Sequence, residues 1–431
     1  MHKLVSKLIV YRNLPADNIL MPLAEVCAQV ESGDYHKEAV IGKVYDQIHK
    51  LLDIATVYGF NKNLWHNYLT YLLVSVETPF AITCEKEGAC EGSVNAVAMN
   101  DFAIFKALFE YDFTPLEKEL GINCFDIITN YKAVAKKETR FNKNISEKVQ
   151  GLSEKLEQAA TAEDFYQLVT DFYKAYGVGK LGLNKAFRID HKGNQVELVP
   201  ISNTELITFD DLIGYERQKQ ALRENTEAFV EGRPANNVLL FGDSGTGKSS
   251  SVKAIANEFA ADGLRLVEVK KNQLYQIPAL LDSLAQNPLK FILFIDDLSF
   301  SANDDNFAAL KAILEGSVGG RSQNVVVYAT SNRRHLIKET LSDRSGDDIH
   351  EADTRQELMS LSARFGLTVT FQRPDKVRFE EILLDLAKQY GVQMPSDQLF
   401  IKGEAFAIRA GGRSPRVARQ FIELLSAGVR L

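Results

Sequence analysis

An eight-residue stretch, GDSGTGKS from Gly242 to Ser249, sets the tightest limit on what this chain can fold into. It fits the pattern GxxxxGK(S/T) without a mismatch. It follows an apolar run, VLLF at 238–241, and opens a helix-forming segment from Ser249 to Phe259. A strand, a glycine-rich turn and a helix in that order make a cradle for phosphate. Gly242, Gly245 and Gly247 let the backbone bend closely around phosphate oxygens with no Cβ in the way. The loop N–H groups and the positive end of the helix then face the anion. Gly242, Asp243, Ser244, Gly245, Thr246, Gly247, Lys248, Ser249 and Ser250 are the expected binding residues. Lys248 would set its ammonium on the β- and γ-phosphates of a nucleotide, and the Ser249 hydroxyl would ligate Mg2+.

Hydrolysis at such a site needs an acid on a neighbouring strand. FILFIDD, at 291–297, supplies two, and Asp296 lies 48 residues beyond Lys248 (296 − 248). Asp296 would hold Mg2+, mostly through water, and Asp297 would orient or deprotonate the attacking water. A strand that merely ends in an acidic turn is the plain alternative. ATSN, Ala329 to Asn332, closes the next apolar strand. Ligands gather at the carboxyl ends of parallel strands, so the Asn332 amide is expected to contact that water or the γ-phosphate. A polar strand cap is the alternative here.

Helical periodicity dominates positions 1–205, with helices expected near 38–58, 64–76, 98–112, 145–160 and 163–176. In the last of these Phe165, Leu168, Val169 and Phe172 form one apolar stripe. A hairpin is expected from Phe187–Asp190 and Gln195–Val199 around HKGN. The character changes at 206. Apolar strands at 238–241, 264–269, 291–296, 324–330 and 367–371 alternate with helices, which implies a parallel sheet buried on both faces. After Pro374 the pattern is helical to the end. Three parts are therefore expected: a mostly helical region 1–205, an α/β region 206–374 and a helical lid 375–431.

These motifs together resemble the AAA+ ATPases. FDDLIG, Phe209 to Gly214, is similar to box II, with Ile213 as an expected cofactor-binding residue. Walker A at 242–249, Walker B at 291–297 and sensor-1 Asn332 follow in the family's order. The resemblance implies a five-stranded parallel sheet in order 5-1-4-3-2 with a C-terminal helical lid, Mg2+ and ATP at their junction, and an ATP-dependent homo-oligomer. It also implies an arginine finger at Arg364, in SARFGL, and a sensor-2 arginine at Arg416, in GGRSPRVARQF, with Arg413 as a nearby competitor. Arg416 would sit at a helix start, an unfavourable place for a cation that an anionic ligand would relieve. IDDLSF, LKAILEG, YATSNRRHLI, SARFGL and, more loosely, TPFAITCEKEG resemble one bacterial group of predicted AAA+ ATPases of unknown function. Asp296-Asp297 departs from the usual Asp-Glu. The carboxylate is one methylene shorter, and a misplacement of about 1 Å can cost on the order of 100-fold in rate, so slow turnover is expected.

The implied function is an ATPase that remodels or switches a protein client. A nucleotide-gated binding module with little turnover is the alternative. Acidic residues outnumber basic ones, 57 to 50, which disfavours a DNA-acting loader. Arg333 and Arg334, after sensor 1, suit a neighbouring subunit, a phosphate or nucleic acid, or a solvated loop. Asp304 and Asp305 suit a solvated loop or helix N-terminus, with assistance to the Asp296–Asp297 pair as the alternative; Phe300 and Phe307 suit core packing, with substrate contact in a pore as the alternative; and 341–353 with His350 reads as an acidic surface insertion. HRD, DFG, HExxH and GxSxG segments are absent, which excludes a protein kinase and the common peptidases. Cys27, Cys84, Cys90 and Cys124 show no zinc spacing and read as free thiols of a reducing compartment. No membrane span is expected, because the best apolar stretch, from Leu64, contains His66, Asn67 and Glu77. A cytoplasmic protein is expected.

Overall fold

The computed structural model describes residues 1–85, 87–89, 91–133, 143–192, 195–201, 207–285, 287–299, 306–315, 323–332 and 361–429. The expectations for Cys90, Phe300, Asp304, Asp305, Arg333, Arg334 and 341–353 with His350 lie outside these residues, as does the side chain of Phe307. The chain divides into two compact units, Met1–Asn184 and Lys185–Leu431.

The first unit is helical. Its longer helices are Leu20–Ser32, Lys37–Tyr58, Leu64–Ser75, Ser93–Phe109, Lys143–Glu157 and Ala162–Tyr176. Asn63 opens the third by accepting the His66 N–H, and Thr161 and Asp164 form a capping box on the last. Leu64, Trp65, Tyr68, Leu69, Leu72 and Leu73 are all buried, so Leu64–Ser75 is a core helix. Among the described residues no helix is long and apolar enough to cross a membrane. The fully buried Asp101 accepts backbone N–H groups from Ile9, Val10 and Tyr11 at 2.8–3.1 Å, which ties the first segment to helix Ser93–Phe109.

The second unit is built on a sheet of seven strands: β1 (Ala186–Lys192), β2 (Gln195–Pro200), β3 (Val238–Gly242), β4 (Leu264–Glu268), β5 (Lys290–Ile295), β6 (Val325–Ser331) and β7 (Leu367–Phe371). Their order is β2-β1-β4-β5-β6-β3-β7. The five strands expected from sequence, β3 to β7, keep the order 5-1-4-3-2, but among the described residues the sheet has seven strands, which corrects the count. The hairpin β1–β2, which falls within the expected region 1–205, pairs its first strand in parallel with β4 through Ala186↔Leu266 and Arg188↔Glu268. The reason is physical: β4 would otherwise present an open edge of backbone donors and acceptors.

Register decides what meets at the carboxyl ends. Phe241 of β3 stands beside Ser331 of β6 and Thr370 of β7, and Ile295 of β5 stands beside Ala329 of β6. The loop after β3 and the acids after β5 therefore emerge on either side of β6. Helix Lys248–Glu258 then packs back on the sheet, burying Val252, Ala254 and Ile255 in a core with Leu240, Ile292 and Tyr328. Three helices, Lys376–Gln389, Ser396–Arg409 and Pro415–Ser426, enclose a smaller core of Phe379, Ile382, Leu383, Leu386, Phe421 and Ile422. Asp375 and Ser414 cap the first and third of them.

One buried cation belongs to the architecture. Arg265, on β4, is fully buried, and its guanidinium donates to the carbonyls of Ala260 and Leu264 at 2.9 and 2.8 Å. Ala260 follows helix Lys248–Glu258, where a cation meets the negative end of the helix. Arg265→Ala is expected to cost about 3 kcal/mol or more, because it removes two hydrogen bonds from a charged donor, each worth roughly 1.5–3 kcal/mol. Urea unfolding followed by circular dichroism checks this, and an unchanged midpoint refutes it.

Candidate functional site

The phosphate-loop geometry follows from its glycines. Gly242 ends β3 at φ 136°, and a Cβ there would strike the Phe371 carbonyl of β7. Gly247 stands at φ 96° as the N-cap of helix Lys248–Glu258, a conformation that disfavours other residues. Between them the chain turns back on itself, and Lys248 points into the turn. Its Nζ donates to the carbonyls of Gly242 (2.8 Å) and Asp243 (2.7 Å) and to Oδ1 of Asn332 (2.9 Å). Lys248 is only 7% exposed. Burial lowers its pKa below the usual lysine value, against the opposing pull of Asp243, Asp296 and Asp297.

The acidic edge lies across from this ammonium. Oδ1 of Asp296 accepts hydrogen bonds from Ser249 Oγ (2.6 Å), from Thr330 Oγ1 (2.5 Å) and from the Asp297 N–H (3.1 Å). Thr330 Oγ1 also accepts the Asp297 N–H, at 2.9 Å. Asp297 has a left-handed backbone, φ 50°. Its Oδ1 accepts a hydrogen bond from Asn332 Nδ2 at 2.9 Å. The Asn332 amide thus links the lysine on one side to the second aspartate on the other.

The third wall comes from the lid. Arg416, in the first turn of Pro415–Ser426, donates its backbone N–H to the Gly245 carbonyl at 3.2 Å. One turn on, Arg419 donates to the Asp211 carbonyl at 2.9 Å. Segment Phe209–Gly214 lies between the two cores. Leu212 packs against the sheet core, and its neighbour Ile213 packs against the lid core. The result is a cleft of about 460 Å³. The lining divides into apolar side chains, those of Leu212, Ile213, Phe371, Ile382 and Leu386, and polar ones, those of Lys248, Ser249, Asp296, Asp297, Asn332 and Arg416. A flat apolar base with a charged tail suits such a division.

Of the residues expected from sequence, Ile213, Ser244, Gly245, Thr246, Gly247, Lys248, Ser249, Ser250, Asp296, Asp297, Asn332 and Arg416 all line this cleft. Gly242 contributes its carbonyl behind it. Asp243 is turned away, its carboxylate accepting the Arg373 N–H. Arg364, half-buried ahead of β7, is not among the lining residues. Arg413 pairs with Glu404 at 2.7 Å, so Arg416 and not Arg413 faces the cleft. Sequence reasoning passed over Thr330, Arg373 and Arg419. Thr330 stood inside ATSN, and a hydroxyl at the end of a strand beside the acids was the available signal.

Ser249 Oγ and Asp296 Oδ1, two hard oxygens 2.6 Å apart beside a phosphate loop, fit the donor set that Mg2+ prefers.

The sequence pattern of a family described as "Protein of unknown function (DUF815)" matches residues 183–429. The chain is similar to the ATP-dependent zinc metalloprotease FTSH 7, chloroplastic, of Arabidopsis thaliana, at 27% identity over 203 residues, 42% of this chain and 23% of that protein. It is also similar to proteasome-activating nucleotidase 2 of Haloferax volcanii, at 27% identity over 143 residues, 29% of this chain and 35% of that one. The chain thus spans about a quarter to a third of the length of these relatives. A solved structure of the Thermotoga maritima RuvB Holliday junction branch migration motor aligns with 52% of this chain and 67% of its own, at 20% identity and a TM-score of 0.35.

Proposed function

The chain belongs to the family described as protein of unknown function (DUF815) and has the α/β fold of AAA+ ATPases, and from that premise we propose that it binds Mg2+-ATP and hydrolyses it slowly to remodel or switch a protein partner. The observation that carries this reading is the meeting of Lys248, Ser249, Asp296, Asp297, Asn332 and Arg416 on one cleft. Residues 206–374 and 375–431 are then the nucleotide-binding part and its lid, with hairpin β1–β2 joined to the sheet and 1–205 otherwise accessory. ATP-dependent assembly of several copies belongs to the same reading.

The roles follow from where charge develops. The base lies against Ile213, and the loop N–H groups hold the phosphates. Lys248 exchanges its carbonyl partners for the β- and γ-phosphate oxygens. Ser249 and Asp296 hold Mg2+, which when bound neutralises phosphate charge. Asp297 and Asn332 orient the attacking water, and Arg416 meets the γ-phosphate from the lid. Arg364 acts on the cleft of a neighbouring copy. Phosphate release by the wild type, compared with Asp297→Asn, tests the reading: loss of release with retained ATP binding is expected. Release that is indifferent to Asp297→Asn favours the second reading, a nucleotide-gated binding module. The hydrogen bond that Asn332 donates to Asp297 favours that reading, since it engages the proposed base. The acidic balance of the chain speaks against nucleic acid as the partner.

Thr330 gives a further test. Its hydroxyl orients both aspartates, and Thr330→Val removes it at constant shape. One hydrogen bond to a charged group is worth about 1.5 kcal/mol, so the Mg2+ concentration for half-maximal turnover is expected to rise about tenfold. Thr330→Ser is expected to retain wild-type behaviour. A Mg2+ titration of phosphate release checks both.

A further inference from the structure

An acid in a phosphate loop repels the ligand the loop serves, so Asp243 calls for an explanation. Its backbone is central to the loop: the N–H donates to the Phe371 carbonyl at 3.0 Å, and the carbonyl accepts from Lys248 Nζ and from Thr246 Oγ1 at 2.7 and 2.8 Å. Its carboxylate leaves the cleft and meets Arg373, in the short link between β7 and the first lid helix. Asp243 Oδ2 accepts the Arg373 N–H at 3.0 Å, and Oδ1 lies 3.6 Å from Nε. The same guanidinium donates from Nη1 to the Gly411 carbonyl at 2.9 Å. Gly411 opens the turn that leads to the Ser414 cap and the helix bearing Arg416. Arg416 closes the circuit by donating its N–H to the Gly245 carbonyl.

Resting on the ATPase reading above, we infer that Arg373 is a positioning residue: through Asp243 and Gly411 it couples the phosphate loop to the lid turn, and so sets where Arg416 stands relative to the γ-phosphate. The lysine and the arginine that would grip a triphosphate are then joined behind the cleft as well as across it. When Lys248 turns from the Asp243 carbonyl to phosphate, the Asp243 backbone is released on one side only. The carboxylate–guanidinium pair passes that change to the turn before Arg416. A diphosphate offers Arg416 nothing to meet, so the link matters for triphosphate alone.

Calorimetric titration with Mg2+-ADP and with the slowly hydrolysed Mg2+-ATPγS separates these effects. The side chain of Arg373 is 53% exposed and lies outside both cores, so Arg373→Ala is expected to fold with an unchanged melting temperature. ADP affinity is expected to stay within about twofold and ATPγS affinity to fall about tenfold. Asp243→Asn, which keeps the shape and removes the charge, is expected to do the same in part. On an Arg416→Ala background, Arg373→Ala is expected to add no further loss, since both act through one contact. Equal weakening of both nucleotides, no change in either, or additive losses overturn the inference while the ATPase reading stands. Failure of the wild type to bind either nucleotide overturns the reading and the inference with it.

Discussion

Lys248→Ala is expected to weaken ATP binding by roughly 10²- to 10⁴-fold, because the ammonium supplies about two charge-assisted hydrogen bonds to phosphate, worth roughly 1.5–3 kcal/mol each. Geometry gives this residue its weight. Its ammonium stands where the loop carbonyls, the Asn332 amide and the aspartate edge converge. Burial already disfavours its charge, so a bound polyanion gains more from it than from a solvated lysine. The fold is expected to survive, since the Lys248 side chain belongs to neither apolar core of the second unit. Calorimetry with ATP, beside a melting curve, checks both halves. An unchanged affinity in a folded variant removes the foundation of the site assignment.

Arg364→Ala is expected to leave ATP affinity within about twofold and to cut turnover by about 10³-fold or more, the range seen when a finger arginine is withdrawn from phosphoryl transfer. The residue stands off the cleft of its own chain. A large effect on rate therefore requires a second copy to present it, and that makes the prediction sharp. Mixing Arg364→Ala with Lys248→Ala should restore part of the activity, because one variant keeps an intact cleft and the other an intact finger. Light scattering with ATP should show assemblies larger than a monomer. Activity that no mixture restores, or a monomer at every concentration, argues against action between copies.

The parts of the site legible in sequence are those encoded within a few residues. The loop from Gly242 to Ser249 carries its own conformation in its glycines, and FILFIDD and ATSN each state a strand and its polar end. What escaped depends on partners distant along the chain. Thr330 matters because β6 lies beside β5, so that its hydroxyl falls between two aspartates some 33 or 34 positions earlier. Arg373 matters because β7 lies beside β3, 130 positions away. Hairpin β1–β2 was recognised as a hairpin, but nothing local says that β4 has an edge to cover. Asp243 shows the converse limit: the motif puts it in the loop, and only packing shows that its carboxylate faces the lid link.

The left-handed backbone at Asp297 bears on why the shorter acid stands there. Aspartate and asparagine enter that conformation more readily than longer side chains, since a short polar group compensates the backbone locally. Lengthening the acid to glutamate would extend its reach while adding torsional strain at the same position. The methylene that distinguishes this pair of acids from the commoner one is thus a conformational choice as much as a chemical one, and protein engineers seeking a faster enzyme would have to rebuild the turn before the side chain.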